Sequence, residues 1–210
     1  MATAQRLSTG IEPLDRELDG GLLPGTITAF AAPPASQSEL LLYELTRERP
    51  TLYLTTTRTE QGIRDALERT AVPTGDPVIR RVGGDRPLDN VKDLTGRLRD
   101  EANLILDPLD LLESSDRNRY VSFLNQLQTH MQNTNGIALL HCMKGEETPP
   151  MRDMTMQMVD TVFDLELTTQ GEDVETRLTV PKFRGGEALN ETIKLELADR
   201  VRVDTSRDIA

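Results

Sequence analysis

The chain has 210 residues, enough for one domain with a full hydrophobic core. Its residues are 37% hydrophobic but only 3% aromatic, with no Trp, so the core must be built from Leu, Val, Ile, Met and Ala; this is not the composition of a disordered chain. A net charge of −11, from 35 acidic against 24 basic residues, opposes general affinity for nucleic acid.

The lysines are Lys92, Lys144, Lys182 and Lys194, and the remaining basic residues are arginines. Acid excess with scarce lysine is the compositional habit of proteins from very salty cytoplasm; an ordinary acidic protein is the alternative reading. No apolar run reaches membrane-spanning length, and MATAQRLSTG has no hydrophobic segment of the kind a secretory signal needs. The expectation is a soluble cytoplasmic protein. The single Cys142 forms no internal disulfide, which fits a reducing compartment.

Taken in chain order, Leu7 to Leu18 carries Ile11, Leu14 and Leu18 at helical spacing before Gly20, Gly21 and Pro24-Gly25 break the chain. Residues 26–31 read as a buried strand, followed by a helix from about Gln37 to Glu48. TLYLTT (51–56) is a second strand, and Ile63, Ala66 and Leu67 share a face of the next helix. PVIRRV (77–82) is a short strand, and Val91, Leu94 and Leu98 mark another helix. NLILD (103–107) is a buried strand. Tyr120, Leu124, Leu127 and Met131 define an amphipathic helix, and GIALLHC (136–142) is a further strand. Met151, Met154 and Met158 recur at helical spacing and are expected to pack in the core.

Alternating strands and helices predict an α/β fold with a mainly parallel sheet flanked by helices. Beyond about residue 159 the runs TVFDLELTT, ETRLTVPKF, ETIKLEL and VRVD predict C-terminal antiparallel strands. With no internal repeat and no linker, residues 1–210 are read as one domain.

The segment STGIEPLDRELDGGLLPGTITAF (8–30) resembles the opening of the RecA superfamily, in particular its archaeal KaiC-like branch. NLILDPLD (103–110) is similar to the second nucleotide motif of that family, an apolar strand ending in Asp. RLTVPKFRGG (177–186) resembles its late strand carrying a Lys-x-Arg pair, which in ring-forming members reaches the nucleotide of a neighbouring subunit. The resemblance therefore implies a RecA-like fold, and makes Lys182 and Arg184 inter-subunit candidates.

The chain departs from that pattern where a phosphate-binding loop should lie. A working loop reads G-x-x-x-x-G-K-[ST]. Here AFAAPPASQSELLLYEL (29–45) places Ala32 and Gln37 at the two glycines, Ser38 at the lysine and Glu39 at the hydroxyl residue. Ser38 brings no cation. Glu39 brings a carboxylate beside the phosphates; a like-charge pair about 4 Å apart costs roughly 4 kcal/mol at an effective dielectric near 20. Ser36 to Glu39 also has the S-x-x-E form of a capping box, so the expectation is a former phosphate site that caps itself.

The acidic pair that activates water in KaiC-like ATPases is replaced by Thr57 and Arg58, with Glu60 too late in sequence. The vestigial nucleotide-site residues are therefore Ala32, Ser36, Gln37, Ser38, Glu39 and Asp107. Asp107 is either a magnesium-linked carboxylate or an inherited residue bonded within the protein. His141 falls near the family's sensor position, and His130, His141 and Cys142 lack zinc-like spacing, so no metal is expected.

Three functions follow from this reading. The first is an inactive RecA/KaiC-like module, a pseudo-ATPase that needs no cofactor and works by binding a protein partner or its own copies. The second is an atypical ATP-binding protein or weak ATPase, with MgATP held by a non-standard loop. The third is an accessory RecA-like paralogue in DNA repair or recombination, although the acidic balance argues against direct contact with nucleic acid.

Overall fold

The computed structural model describes residues 6–170, 173–186, 189, 192–197 and 201–203. Among these, nine strands form one sheet in the order β3-β2-β4-β5-β1-β6-β7-β8-β9. The strands are β1 (Thr26–Ala32), β2 (Thr51–Thr55), β3 (Val78–Arg81), β4 (Asn103–Asp107), β5 (Ile137–Met143), β6 (Thr161–Gln170), β7 (Asp173–Phe183), β8 (Ile193–Leu197) and β9 (Val201–Val203). Pairing is parallel from β3 through β6 and antiparallel from β6 to β9. The helices are α1 (Glu12–Glu17), α2 (Glu39–Glu48), α3 (Glu60–Arg69), α4 (Pro87–Thr95), α5 (Asp110–Glu113), α6 (Arg117–Thr134) and α7 (Arg152–Met158).

The period of two along each strand builds two cores, one on each face of the sheet. On β4, Leu104 and Leu106 join Val91, Tyr120 and Leu124, whereas Ile105 joins Leu42 and Ile63 on the opposite face. On β5, Ile137 and Leu139 lie on the α2 face, and Ala138, Leu140 and Cys142 on the α6 face. Both faces are covered, so these strands read as continuous apolar runs.

Two expectations need adjustment. The first helix is shorter than the apolar spacing implies: Leu7 instead forms an antiparallel bridge with Leu22, exchanging N–H···O bonds of 2.8 and 2.9 Å. On α7 it is Arg152 and Thr155 that are buried, while Met151, Met156 and Met158 are half-buried against the core. Met156, rather than Met154, takes part in that packing.

The Leu7–Leu22 bridge explains the glycine beside it. Gly21 has φ +118°, and a Cβ there would lie 2.2 Å from the Leu7 carbonyl oxygen. We expect Gly21→Ala to lower stability by on the order of 3 kcal/mol, from backbone strain and the clash together. Gly83, which has nothing within 4 Å of its Cβ position, is the control and should change little when made Ala. Urea unfolding midpoints of the two variants test this.

Behind the carboxyl end of β5 lies a buried ionic cluster. The Arg152 Nε donates to both oxygens of Glu113 at 3.0 and 2.8 Å, and Nη1 donates to the Met143 carbonyl at 2.8 Å. Its Nη2 lies 2.8 Å from Glu113 and 3.2 Å from Asp110, off the hydrogen-bonding direction, so these are charge contacts. The Thr155 hydroxyl donates to Glu113 and is joined to the Tyr120 hydroxyl at 2.6 Å. The cluster ties α5, α6 and α7 to the end of β5. Burial lowers the Arg152 pKa, but the Glu113 hydrogen bonds outweigh it and leave the guanidinium firmly charged.

Candidate functional site

Strands β1, β2, β4 and β5 deliver their carboxyl ends to one edge of the sheet, where α/β folds place ligands. Alternation decides which side chains meet there. Ile105 faces α2, so Asp107, two residues on, faces it too. Ile137 and Leu139 likewise fix the direction of His141. Tyr53 is in register with Ile105 and lies in the same core. The three are linked in a row that His141 joins to Ser38, the N-cap of α2.

The result is a continuous buried chain of hydrogen bonds. Ser38 Oγ is 3.0 Å from His141 Nε2, and His141 Nδ1 is 2.6 Å from Asp107 Oδ1. The Tyr53 hydroxyl donates to Asp107 Oδ2 at 2.5 Å. Exposure is 2% at Ser38, 0% at Tyr53, 7% at Asp107 and 3% at His141. Phe30 stacks on the imidazole, with centroids 5.4 Å apart at 24°.

Burial alone would push the Asp107 carboxyl up. The hydrogen bond and charge interaction with His141, then the Tyr53 hydrogen bond and the nearby Arg58, outweigh burial and hold it below the usual carboxylate range. Burial and the Asp107 charge push the Tyr53 phenol well up, so it remains a donor. An ionised Asp107 only accepts; in a neutral imidazole, Nδ1 therefore carries the proton and Nε2 accepts from Ser38.

The loop before α2 differs from the self-capped form. The Ser36 hydroxyl donates to the Pro33 carbonyl at 2.6 Å, and the N-cap, Ser38, makes no side-chain cap bond. The physical cause is Gln37, which adopts φ +54° and turns the chain between Ser36 and the helix. Gln37 thus occupies the left-handed region that a glycine would favour at this position, although the side chain there resists it. Among the described residues, no acceptor takes the N–H of Gln37, Ser38 or Glu39.

The other candidates are placed as follows. Ala32 is the last residue of β1 and is fully buried. Arg58 donates to the Tyr43 hydroxyl at 3.1 Å and to the Gly62 carbonyl at 2.8 Å, so a cation stands where the family's acidic pair is expected. Glu60 begins α3 and accepts from the Arg81 N–H at 3.1 Å, which ties that helix to β3. Lys144, whose backbone N–H bonds Ala32, directs its ammonium to Asp164 at 2.6 Å.

Lys182 and Arg184 are not brought to this site within the chain. They lie at the opposite end of β1, near Asp160 and Ile27. Lys182 donates to the Met156 and Gln157 carbonyls at 2.8 Å, and Arg184 to the Gln157 and Met158 carbonyls.

Tyr53 and Tyr43 are participants that the sequence reading missed. The available signal was a Tyr inside the aliphatic strand TLYLT, since a buried hydroxyl requires a partner. Among the described residues, no group of three or more His, Cys, Asp or Glu could hold a metal ion.

Comparison with solved structures bears out the RecA/KaiC-like fold. The chain superposes on the KaiC-like protein PH0186 from the hyperthermophilic archaeon Pyrococcus horikoshii OT3 with a TM-score of 0.78, covering 96% of this chain and 99% of that one at 13% identity. At that identity the likeness is one of fold. No curated protein matches the sequence. The profile of a family of unknown function, DUF7125, matches residues 6–210, and the chain belongs to that family.

Proposed function

We propose that this protein is a RecA/KaiC-like domain that does not hydrolyse ATP and serves as a regulatory or partner-binding module. The observation that carries the reading is the engagement of Asp107. Both of its oxygens accept hydrogen bonds inside the protein, from His141 and Tyr53, so the 7%-exposed carboxylate is committed to a buried network and not presented to a magnesium ion in solution. The residues present do not fit a magnesium nucleotide. Ser38 offers no cation, Glu39 adds an opposing charge, and Lys144 is paired with Asp164. No positioned base stands after β2, where Arg58 is bound to Tyr43 and Gly62.

Thermal unfolding in high KCl with millimolar MgATP or MgADP is the test. The expected result is no shift in Tm. A ligand at about 100 times its Kd would add roughly 2.7 kcal/mol, so binding would be plain. A second reading, an atypical nucleotide binder, is favoured by the free N–H groups of Gln37, Ser38 and Glu39 at a helix start. A magnesium-dependent shift together with ATP turnover lost in Asp107→Ala would establish that reading in place of the first. The partner of the module is proposed to be a protein, whether another copy of this chain or a different one.

A further inference from the structure

Ser38, His141 and Asp107 stand in the order and at the distances that a nucleophilic serine requires. A base must lie within hydrogen-bond reach of the hydroxyl, and His141 Nε2 is 3.0 Å from Ser38 Oγ. The base must be oriented through its other nitrogen, and His141 Nδ1 is 2.6 Å from Asp107. The orienting carboxylate must itself be fixed, and Tyr53 holds its second oxygen. The serine is the N-cap of the ten-residue helix α2, on the loop that leaves β1 after Ala32. The backbone N–H groups of Gln37, Ser38 and Glu39 beside it have no acceptor among the described residues, and donors so placed stabilise a developing oxyanion.

A cavity lies beside the loop that leads into the serine. Gln37, one residue before Ser38, lines a cavity of about 620 Å³ whose walls mix Leu167, Val174 and Leu197 with Glu175, Lys194 and Glu196. Val174 is 65% exposed and Leu167 37%, so an apolar surface is open to solvent beside the loop. The two carboxylates in its walls, Glu175 and Glu196, disfavour a polyanion and leave room for a small uncharged group.

We propose that Ser38 is the nucleophile of a hydrolytic site for small uncharged carboxylic esters, with His141 as general base and Asp107 as the residue that orients it. The proposal goes beyond the module reading and stands on this geometry whether or not nucleotide binds. In the first step the Ser38 Oγ–H proton passes to His141 Nε2 as Oγ bonds the ester carbonyl carbon and the carbonyl π electrons move to its oxygen. Collapse breaks the bond to the alcohol oxygen, which leaves with the proton from His141. Water then gives a proton to His141 and adds to the acyl carbon. The Oγ–C bond breaks, and the proton returns to Ser38. The sum is ester plus water giving acid plus alcohol. Ser38 is 2% exposed and does not itself line the cavity, so entry of the acyl group requires the loop holding Gln37 to move.

The test uses the full chain in high KCl with two probes, a fluorophosphonate reporter and 4-nitrophenyl acetate. The expected result is one phosphonyl adduct per chain, mapped by mass spectrometry to the peptide holding Ser38, and a burst of nitrophenolate of matching stoichiometry. Ser38→Ala should abolish both. His141→Gln should slow labelling at least about 100-fold, and Gln37→Gly should speed it. Thermal unfolding and near-UV circular dichroism establish that each variant is folded. The proposal is overturned if the native protein and Gln37→Gly, both folded, carry no adduct. It is equally overturned if the adduct maps elsewhere, or if labelling of Ser38 is unchanged in His141→Gln.

Discussion

Arg152→Leu is expected to lower the stability of the protein by about 3–5 kcal/mol, because it strands Glu113 as an uncompensated buried charge. For a chain of this size that is a fall in Tm of roughly 6–20 °C. Glu113 is 0% exposed and has lost its only guanidinium, leaving Thr155 as its remaining described hydrogen-bond donor. The double variant Arg152→Leu with Glu113→Leu should recover much of the loss, because replacing a buried pair by apolar side chains is often neutral. It will not recover all of it, since the Met143 carbonyl and the Thr155 hydroxyl each lose a partner. A double-mutant cycle by urea unfolding reads the coupling directly; additivity within about 0.5 kcal/mol would show that the pair holds nothing together.

Asp107→Asn should cost about 2–4 kcal/mol at neutral pH. The amide offers one acceptor oxygen where the carboxylate offered two, so either Tyr53 or His141 keeps a buried donor without an acceptor. The pH dependence follows from the lowered Asp107 pKa. A carboxyl whose folded-state pKa lies below its unfolded value of ~3.9 contributes stability that is fully present above that value. The contribution is lost as pH falls through the folded value. The gap in unfolding free energy between the native protein and Asp107→Asn should therefore be widest near neutrality and shrink below about pH 4. A gap that stays constant from pH 7 to pH 3 would show that Asp107 is not held as a carboxylate by this network.

Both cases show which features were legible before the tertiary structure. The spacing of Tyr120, Leu124, Leu127 and Met131 placed α6 on its core, and the continuous apolar runs placed β4 and β5 between two helical layers. Turn chemistry located Gly21, and the resemblance around residues 8–30 pointed to the KaiC-like fold that the comparison bears out. All of these are local: a helix period, a strand period or a glycine at positive φ is written within a few consecutive residues.

The site is not local. Ser38 and His141 are 103 residues apart in sequence, and Tyr53 and Asp107 are 54 apart. The sequence by itself determined that residues 32–39 do not spell a phosphate loop and that Asp107 ends a buried strand. It could not determine that Ser36 bonds back to Pro33 rather than capping α2, because that depends on the φ of Gln37. Nor could it place Lys182 and Arg184 at the far end of β1, because that depends on how β7 pairs with β6. Only the order of the strands and their register put β2, β4 and β5 side by side. The pleat then turned one tyrosine, one aspartate and one histidine to the same face, where the histidine reaches the serine, since residues two apart along a strand share a face and those one apart do not.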